Sequence, residues 1–200
     1  MTRSGLRCWS LFSAATLVLM GACSDNGPTE PAVDPGASMT VDASHATNWA
    51  LVDLGTPAAV VTAADPATST AWDLAFKATG LMLNGGTAGP GGMTGYCICQ
   101  NAGATNDQIR AMTPAGEAAD FDAVTAAQIP AAASAWSATV FDTSKWYKYN
   151  LTGADHQVWP THDVYLIRRG NEVYKLQVTG YYGPAGETRR ISFRYAKLAG

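Results

Sequence analysis

The 200-residue sequence is poor in charge: only 14% of its residues are charged, the formal net charge is -3 and the isoelectric point is near 5.5. It therefore lacks the concentrated basic face that a nucleic-acid partner needs. It also lacks a hydrophobic run of the roughly 20 residues that cross a bilayer as a helix. The apolar stretch at residues 11–20 is much shorter than that. We therefore expect neither a nucleic-acid partner nor a permanent transmembrane helix.

Sequence motifs of catalysis are absent as well. The chain contains no G-x-S-x-G nucleophile turn, no G-x-x-x-x-G-K-[ST] phosphate loop, no H-E-x-x-H pair and no acidic calcium loop. Its histidines are His45, His156 and His162. A lone histidine is most simply a hydrogen-bonded structural residue, although two histidines six positions apart among aromatic residues keep a transition-metal site open. We predict that the protein is not an enzyme.

The first 22 residues have the pattern of a bacterial lipoprotein signal peptide. Arg3 and Arg7 form a basic head, residues 11–20 form a short apolar stretch, and small residues precede Cys23. The segment resembles a lipobox, which implies that Cys23 is lipidated and becomes the mature N-terminus. Ser24 after the cysteine resembles the pattern that directs lipoproteins to the outer membrane. The alternative is ordinary signal cleavage that releases a soluble protein.

The mature chain divides into a tether and a domain. Residues 23–38 are rich in proline, glycine and polar side chains and cannot bury enough apolar surface to order themselves. We predict that they form a lipidated flexible tether. Fatty acyl chains gain about 0.8 kcal/mol per buried methylene, so two or three chains attach a protein firmly to a membrane. Residues 39–200 are predicted to form the folded domain.

The domain has the alternating pattern of β-strands. In residues 72–77 the bulky apolar side chains fall at every second position, and residues 173–179 and 191–195 repeat this alternation. Similar segments lie at 145–149 and 164–168, and turns are predicted at 169–171 and 183–186. The exception is the alanine-rich segment 115–128, whose apolar residues have helical spacing and which Pro130 would end. The sequence predicts an all-β, mostly antiparallel domain with one short helix.

Cys97 and Cys99 form an unusual C-x-C pair. Outside the inner membrane a disulfide is the first interpretation, because free thiols seldom persist there. Side chains at i and i+2 of a regular strand lie about 7 Å apart, so a direct bond would require a tight turn. The alternatives are two thiolates that bind a soft metal, or free thiols.

Several segments, in order, resemble the HmuY family of bacterial haem-binding lipoproteins. They are residues 65–89 (DPATSTAWDLAFKATGLMLNGGTAG), 146–150 (WYKYN), 156–160 (HQVWP), 165–183 (YLIRRGNEVYKLQVTGYYG) and 191–196 (ISFRYA). The resemblance covers about residues 42–198. It implies a sandwich-type β protein at the outer membrane that captures haem and passes it to a membrane receptor without turnover.

The resemblance also implies candidate haem-binding residues. His156 before V-W-P is the candidate for one axial ligand, and Met112 is the candidate for the other. Trp146, Tyr147, Tyr149 and Trp159 are candidates for covering the flat macrocycle. Two alternatives remain open: a surface lipoprotein of the same fold that binds another ligand or a protein partner, and a thiol-based metal-binding protein that uses Cys97 and Cys99.

Overall fold

The computed structural model describes residues 36–199, which contain eleven strands, three short α-helices and two 3₁₀ turns. The strands are β1 (Ala37–Asp42), β2 (Ala50–Asp53), β3 (Ala59–Val61), β4 (Leu74–Lys77), β5 (Gly80–Leu83), β6 (Thr94–Cys97), β7 (Tyr147–Tyr149), β8 (Val158–Pro160), β9 (Val164–Arg169), β10 (Glu172–Tyr182) and β11 (Thr188–Ala199). The α-helices are α1 (Asn106–Ala111), α2 (Ala118–Ala123) and α3 (Val140–Thr143), and the 3₁₀ turns are Ala126–Gln128 and Ala133–Ala135. No helix within residues 36–199 is long and apolar enough to span a membrane. Strand β1 starts two residues before Met39, the predicted start of the domain, and Cys23 lies outside the described residues.

Two antiparallel sheets face each other across one hydrophobic core. The larger sheet has the order β1-β11-β10-β9-β6, the smaller has the order β3-β2-β4-β5, and β7 pairs with β8 separately. Phe76 of the smaller sheet stacks on Phe193 of the larger, with ring centroids 5.4 Å apart. Most of the predicted one-sided apolar residues lie in this core: Leu74, Phe76, Tyr174, Leu176, Val178, Ile191, Phe193 and Tyr195. Trp72, predicted on the same face as Leu74 and Phe76, packs instead in a separate cluster with Leu51 and Ala75, because it precedes the regular part of β4. The prediction of a mostly antiparallel, sandwich-type all-β fold is confirmed.

Both predicted hairpin turns are present. Gly170 has a φ of +57° and joins β9 to β10, whose residues Arg169 and Glu172 face each other across the turn. Gly186, with a φ of +84°, lies in the turn between β10 and β11. Glycine adopts this left-handed conformation without steric cost, which is why these positions end one strand and allow the next to begin.

The helical content differs from the prediction of one helix over residues 115–128. Helix α2 ends at Ala123, and Thr125 then starts a separate 3₁₀ turn as its N-cap. The reason lies in the larger sheet: the fully buried Lys175 donates from Nζ to the carbonyl oxygens of Phe121 and Val124, 2.8 and 3.1 Å away. These bonds satisfy carbonyls at the end of the helix, which can therefore stop there.

The helical segment covers the outer face of the larger sheet. Phe121 and Val124 pack there in a second apolar cluster with Val164 and Leu166, and Ile129 lies against its edge. These are the residues whose helical spacing suggested one apolar face, and the structure places all three in or against this cluster although the helix is shorter. Strand β9 is therefore covered on both sides and is apolar on both faces, with Val164 and Leu166 in this cluster and Tyr165 and Ile167 in the main core.

A network of ion pairs joins the two sheets at one end. The Arg169 guanidinium lies 2.9 Å from Asp53, 2.8 Å from Asp73 and 2.7 Å from Glu172. Arg169 belongs to β9, whereas Asp53 ends β2 and Asp73 precedes β4. Burial raises the pKa of Asp73. The hydrogen bond from the Leu54 N–H and the charge of Arg169 lower this pKa, but by less than burial raises it.

Candidate functional site

The hairpin of β7 and β8 has a tightly hydrogen-bonded loop. Tyr149 pairs with Val158 at the end of the ladder, and the Asn150 N–H donates to the Gln157 carbonyl at 2.9 Å. Within the loop, Thr152 Oγ1 accepts from the Asp155 N–H at 3.1 Å. Short polar side chains that bond to nearby backbone stabilise such turns, so this loop has a defined conformation of its own.

Asp155 connects the loop to strand β8. Its carboxylate accepts hydrogen bonds from the Gln157 N–H at 3.2 Å and from Trp159 Nε1 at 3.3 Å. Burial alone would raise the pKa of Asp155, but the hydrogen bonds from Gln157, Trp159 and Thr152 outweigh it and lower the pKa. The indole of Trp159 is thereby held toward the base of the loop.

His156 is exposed and meets Tyr149 across the loop. Its Nδ1 lies 3.1 Å from the Tyr149 hydroxyl, and the two ring centroids are 6.1 Å apart. The His156 backbone has a φ of +49°, and its N–H donates to Asn150 Oδ1 at 3.1 Å. A positive φ is uncommon for a residue other than glycine, and here the Asn150 side chain holds the His156 backbone in that conformation. The structure thus presents an exposed tyrosine–histidine pair at the tip of the hairpin.

Two adjoining hollows lie beside this hairpin and share Asp142, Lys145 and Tyr147 in their walls. The first has a volume of about 350 Å³ and is lined in addition by aromatic and apolar residues that include Trp49, Met82, Phe141 and Trp146. The second has a volume of about 390 Å³, and Thr143, Lys148 and Tyr149 complete its wall. We call these two adjoining hollows together the aromatic groove; Lys145 and Lys148 lie in the wall of the second, with Asp142 beside them.

The predicted aromatic residues occupy different parts of this region. Trp146, Tyr147 and Tyr149 all line the aromatic groove. Trp146 is only 3% exposed, and its Nε1 donates to the Thr79 carbonyl at 3.1 Å, so it forms the groove's floor. Trp159 is half-buried and faces helix α1 instead, with the Arg110 guanidinium 5.8 Å from its ring centre.

Met112 lies at the end of α1, next to the hairpin but in a different hollow. It is half-buried and lines a cavity of about 280 Å³ together with Gln100, Asn101, Gly103, Ala104 and Gln108. Helix α1 contacts the hairpin through Asn106 Nδ2, which donates to the Leu151 carbonyl at 3.3 Å. Met112 and His156 therefore belong to neighbouring elements, but none of the contacts between described residues joins their side chains.

Cys97 and Cys99 are joined by a disulfide in the structure. Strand β6 ends at Cys97, and Cys99 takes a left-handed φ of +54°, so the chain turns and brings the two Cα atoms to 5.0 Å. This is the tight turn that a bond between these positions requires. Asp163 lies beside the sulfurs, within 4.8 Å. Bonded sulfurs cannot act as thiolate ligands, so the oxidised protein has no thiolate metal site at this position.

We expect Cys97 and Cys99 of the oxidised, denatured protein to resist alkylation. The peptide that contains them should have a mass two hydrogens below that of the dithiol form, measured by mass spectrometry without reductant. After reduction it should take up two alkyl groups. Two alkyl groups on the unreduced protein would show that the thiols are free and would restore the metal-binding interpretation.

His162 lies away from the hairpin and is buried, with 3% of its surface exposed. Its Nδ1 has no hydrogen-bond partner among the described residues, and its backbone has a φ of +54°. Burial, with the nearby charge of Arg194, lowers the pKa of His162 to about 4. His162 is therefore a neutral, enclosed imidazole, and the structure separates it from His156.

The sequence did not identify the lysines that border the aromatic groove. Lys145 and Lys148 stand among the aromatic residues of the 145–149 segment, and both are exposed at the groove. The sequence signal that could have identified these lysines is their alternation with tyrosine in a short strand. The tyrosine–histidine pair was also missed, because it depends on the folding of the loop between residues 149 and 156.

The fold and the groove define a class of protein by structure: a β-sandwich with a concave surface site whose walls are partly aromatic. A family model described as HmuY protein matches residues 45–195. The chain therefore belongs to the HmuY family, which confirms the resemblance noted in its sequence. No curated protein matches the chain.

Several solved structures resemble the chain, three of which are described here. One is an apo HmuY analogue from Tannerella forsythia (11% identity, 82% of this chain and 95% of that chain, TM-score 0.48). Another is described as a candidate HmuY-like haem-binding protein from Bacteroides vulgatus (14% identity, 84% and 93%, TM-score 0.48). The third is a candidate lipoprotein from Bacteroides fragilis (19% identity, 83% and 90%, TM-score 0.47).

Proposed function

We propose that this protein binds haem as cargo at the aromatic groove and carries it without chemical change. The observation that carries the proposal is the groove itself, in a chain of the HmuY family: aromatic walls beside an exposed tyrosine–histidine pair and two lysines. Flat apolar surfaces suit a porphyrin face, and cationic side chains suit its carboxylates. A binding role of this kind needs no catalytic residues.

For the iron, the sequence-based proposal is an axial pair of His156 and Met112. Imidazole nitrogen and thioether sulfur are both established haem ligands. Support comes from the exposure of His156 at the hairpin tip and from the contacts of α1 with the hairpin through Asn106 and Arg110. The two side chains would have to approach from opposite faces of the macrocycle.

The proposal includes the protein's location. Lipidation at Cys23 would attach the protein to the outer membrane through the 23–38 tether, as its lipobox-like sequence implies. From there it would deliver haem to an outer-membrane receptor. Support for this part comes from the sequence pattern alone, since Cys23 lies outside the described residues.

Haem titration tests the proposed function. We expect the purified protein to bind ferric haem saturably at one equivalent, with a shift of the Soret band. Replacing His156 and Met112 together with alanine should weaken binding at least about tenfold, equal to about 1.4 kcal/mol. His45→Ala is the matched control, because His45 is also exposed but lies outside the groove.

A folded wild-type protein that shows no saturable Soret shift would contradict haem binding. The sandwich would then be a scaffold for another flat ligand or for a protein partner. A double variant that binds haem as well as the wild type would contradict the assignment of His156 and Met112 but not the proposed function.

A further inference from the structure

Asp163 is a buried carboxylate beside the two cysteine sulfurs. It is 5% exposed, and one of its carboxylate oxygens and the sulfurs of Cys97 and Cys99 all lie within 4.8 Å of one another. No lysine, arginine or histidine among residues 36–199 forms an ion pair with this carboxylate. A buried charge is normally paired with an opposite charge or bound to a metal ion, because the protein interior solvates it poorly. The Asp163 carboxylate, which has no charge partner, therefore points to a cation at this position.

The three groups form a ligand set that suits zinc. Zn²⁺ binds thiolate sulfur at about 2.3 Å and carboxylate oxygen at about 2.0–2.2 Å, so two ligands of a tetrahedral ion lie roughly 3.5–3.8 Å apart. The sulfurs and the Asp163 oxygen need only small side-chain rotations to reach this spacing. Three protein ligands leave the fourth position to water, an arrangement that zinc sites in proteins adopt.

Hydrogen bonds other than the disulfide hold these residues together. Cys97 ends strand β6, and the Ile98 N–H that follows it donates to the Val164 carbonyl at 2.9 Å. The Asn101 N–H donates to Asp163 Oδ1 at 2.9 Å, and the second carboxylate oxygen accepts no hydrogen bond from the part of the chain that the structure describes. Reduction of the disulfide would therefore leave the sulfurs beside a carboxylate that has an oxygen available for an ion.

We infer that Cys97, Cys99 and Asp163 form a zinc site that becomes available when the disulfide is reduced. A dithiol reductant supplies two electrons and two protons, the sulfur–sulfur bond breaks, and the reductant becomes a disulfide itself. Each cysteine then gives its thiol proton to water as its sulfur bonds Zn²⁺, and the oxidation state of the ion does not change. The disulfide and the zinc site are alternative states of the same pair, so their redox state decides whether the protein binds zinc.

The position of the pair suits this role. Cys97 and Cys99 are half-buried, so a reductant and an ion can reach the sulfurs, whereas Asp163 lies beneath them. None of the three residues lines the aromatic groove. The inference therefore goes beyond the proposed function and does not depend on haem binding.

Metal titration of the oxidised and the reduced protein tests the inference, with Co²⁺ as a coloured probe for Zn²⁺. After reduction and removal of the reductant without oxygen, the protein should bind one equivalent of Co²⁺ with an intense thiolate-to-cobalt charge-transfer band. One equivalent of Zn²⁺ should abolish the band, and the oxidised protein should not show it. Cys97→Ser and Cys99→Ser should each lose the band, which would assign it to this pair rather than to Cys8 or Cys23.

The Asp163→Asn variant tests the carboxylate. Its amide oxygen can still accept from the Asn101 N–H, so the fold should be retained, which circular dichroism checks. We expect the reduced variant to bind Zn²⁺ at least about tenfold more weakly than the wild type, since loss of an outer-shell partner alone has an effect of that size. Asp107→Asn is the matched control, because the Asp107 side chain is 93% exposed and lies outside the group.

X-ray absorption at the zinc edge gives the ligand set of the wild type directly. We expect two sulfur ligands, with oxygen in the remaining positions. A reduced, folded wild type that binds no Zn²⁺ would overturn the inference, and so would an Asp163→Asn protein with wild-type zinc affinity. Failure of the wild type to bind haem would contradict only the proposed function.

Discussion

Replacing Arg169 with alanine is expected to lower the free energy of unfolding by about 3 kcal/mol, the low end of the range for breaking a buried ion pair. The Asp73 carboxylate lies 2.8 Å from the guanidinium, and its side chain is only 6% exposed. Without Arg169, this carboxylate would keep the Leu54 N–H as a hydrogen-bond donor but would have no charge partner there. Arg169 is itself 30% exposed, which is why we expect the low end of the range.

Urea unfolding followed by circular dichroism measures this effect. Arg190→Ala is the control, because Arg190 pairs with Asp42 at the exposed edge of the larger sheet, and such surface pairs contribute about 1 kcal/mol or less. Adding Asp73→Asn to Arg169→Ala should recover most of the loss, since a neutral amide needs no counter-charge. If Arg169→Ala costs no more than Arg190→Ala, the network does not hold the sheets together.

Acidification is expected to destabilise the protein through His162. Its pKa is about 4 in the folded state and about 6.5 when the side chain is free. The unfolded chain therefore binds a proton that the folded protein excludes, and stability falls as the pH drops from about 6.5 to about 4. The full loss from this residue is about 3 kcal/mol, and above pH 6.5 it contributes no pH dependence.

The comparison of wild type with His162→Asn isolates this contribution. Asparagine tolerates the left-handed φ of +54° and does not titrate. Glu117, whose pKa is raised mainly by burial, titrates in both proteins, so its contribution cancels in the difference. The unfolding free energies of the two proteins, measured from pH 4 to pH 7.5, should change in parallel above pH 6.5. Below pH 6.5 the unfolding free energy of the wild type should fall more steeply than that of His162→Asn. Parallel curves over the whole range would contradict a buried neutral His162.

The strands were predictable because their signals are local. The alternation in residues 173–179 and 191–195 assigned each side chain to a face, and those faces meet the core in the structure. Glycines at the predicted turns supplied the left-handed backbone that hairpins need. The helix over residues 115–128 was predicted too long, because its end depends on Lys175, a residue of β10 that is distant in sequence.

The candidate site was predictable in part. The aromatic residues of the 145–149 segment were identified, and Trp146, Tyr147 and Tyr149 do line one groove. Trp159 was assigned with them but faces Arg110, because Asp155 holds its indole nitrogen. The pattern of residue types along the chain cannot show which way a side chain points. It therefore did not reveal that His156 contacts Tyr149.

Alternation, turn residues and motif order are properties of neighbouring positions, so they were enough to predict the β-sandwich class and the family. Packing in three dimensions sets where the alanine-rich helix stops, which histidine is enclosed and which contacts a tyrosine, and the position of the two lysines beside the aromatic residues. Each of these depends on groups that are separated along the chain and brought within a few ångströms by packing, and that proximity sets their hydrogen bonds and charges.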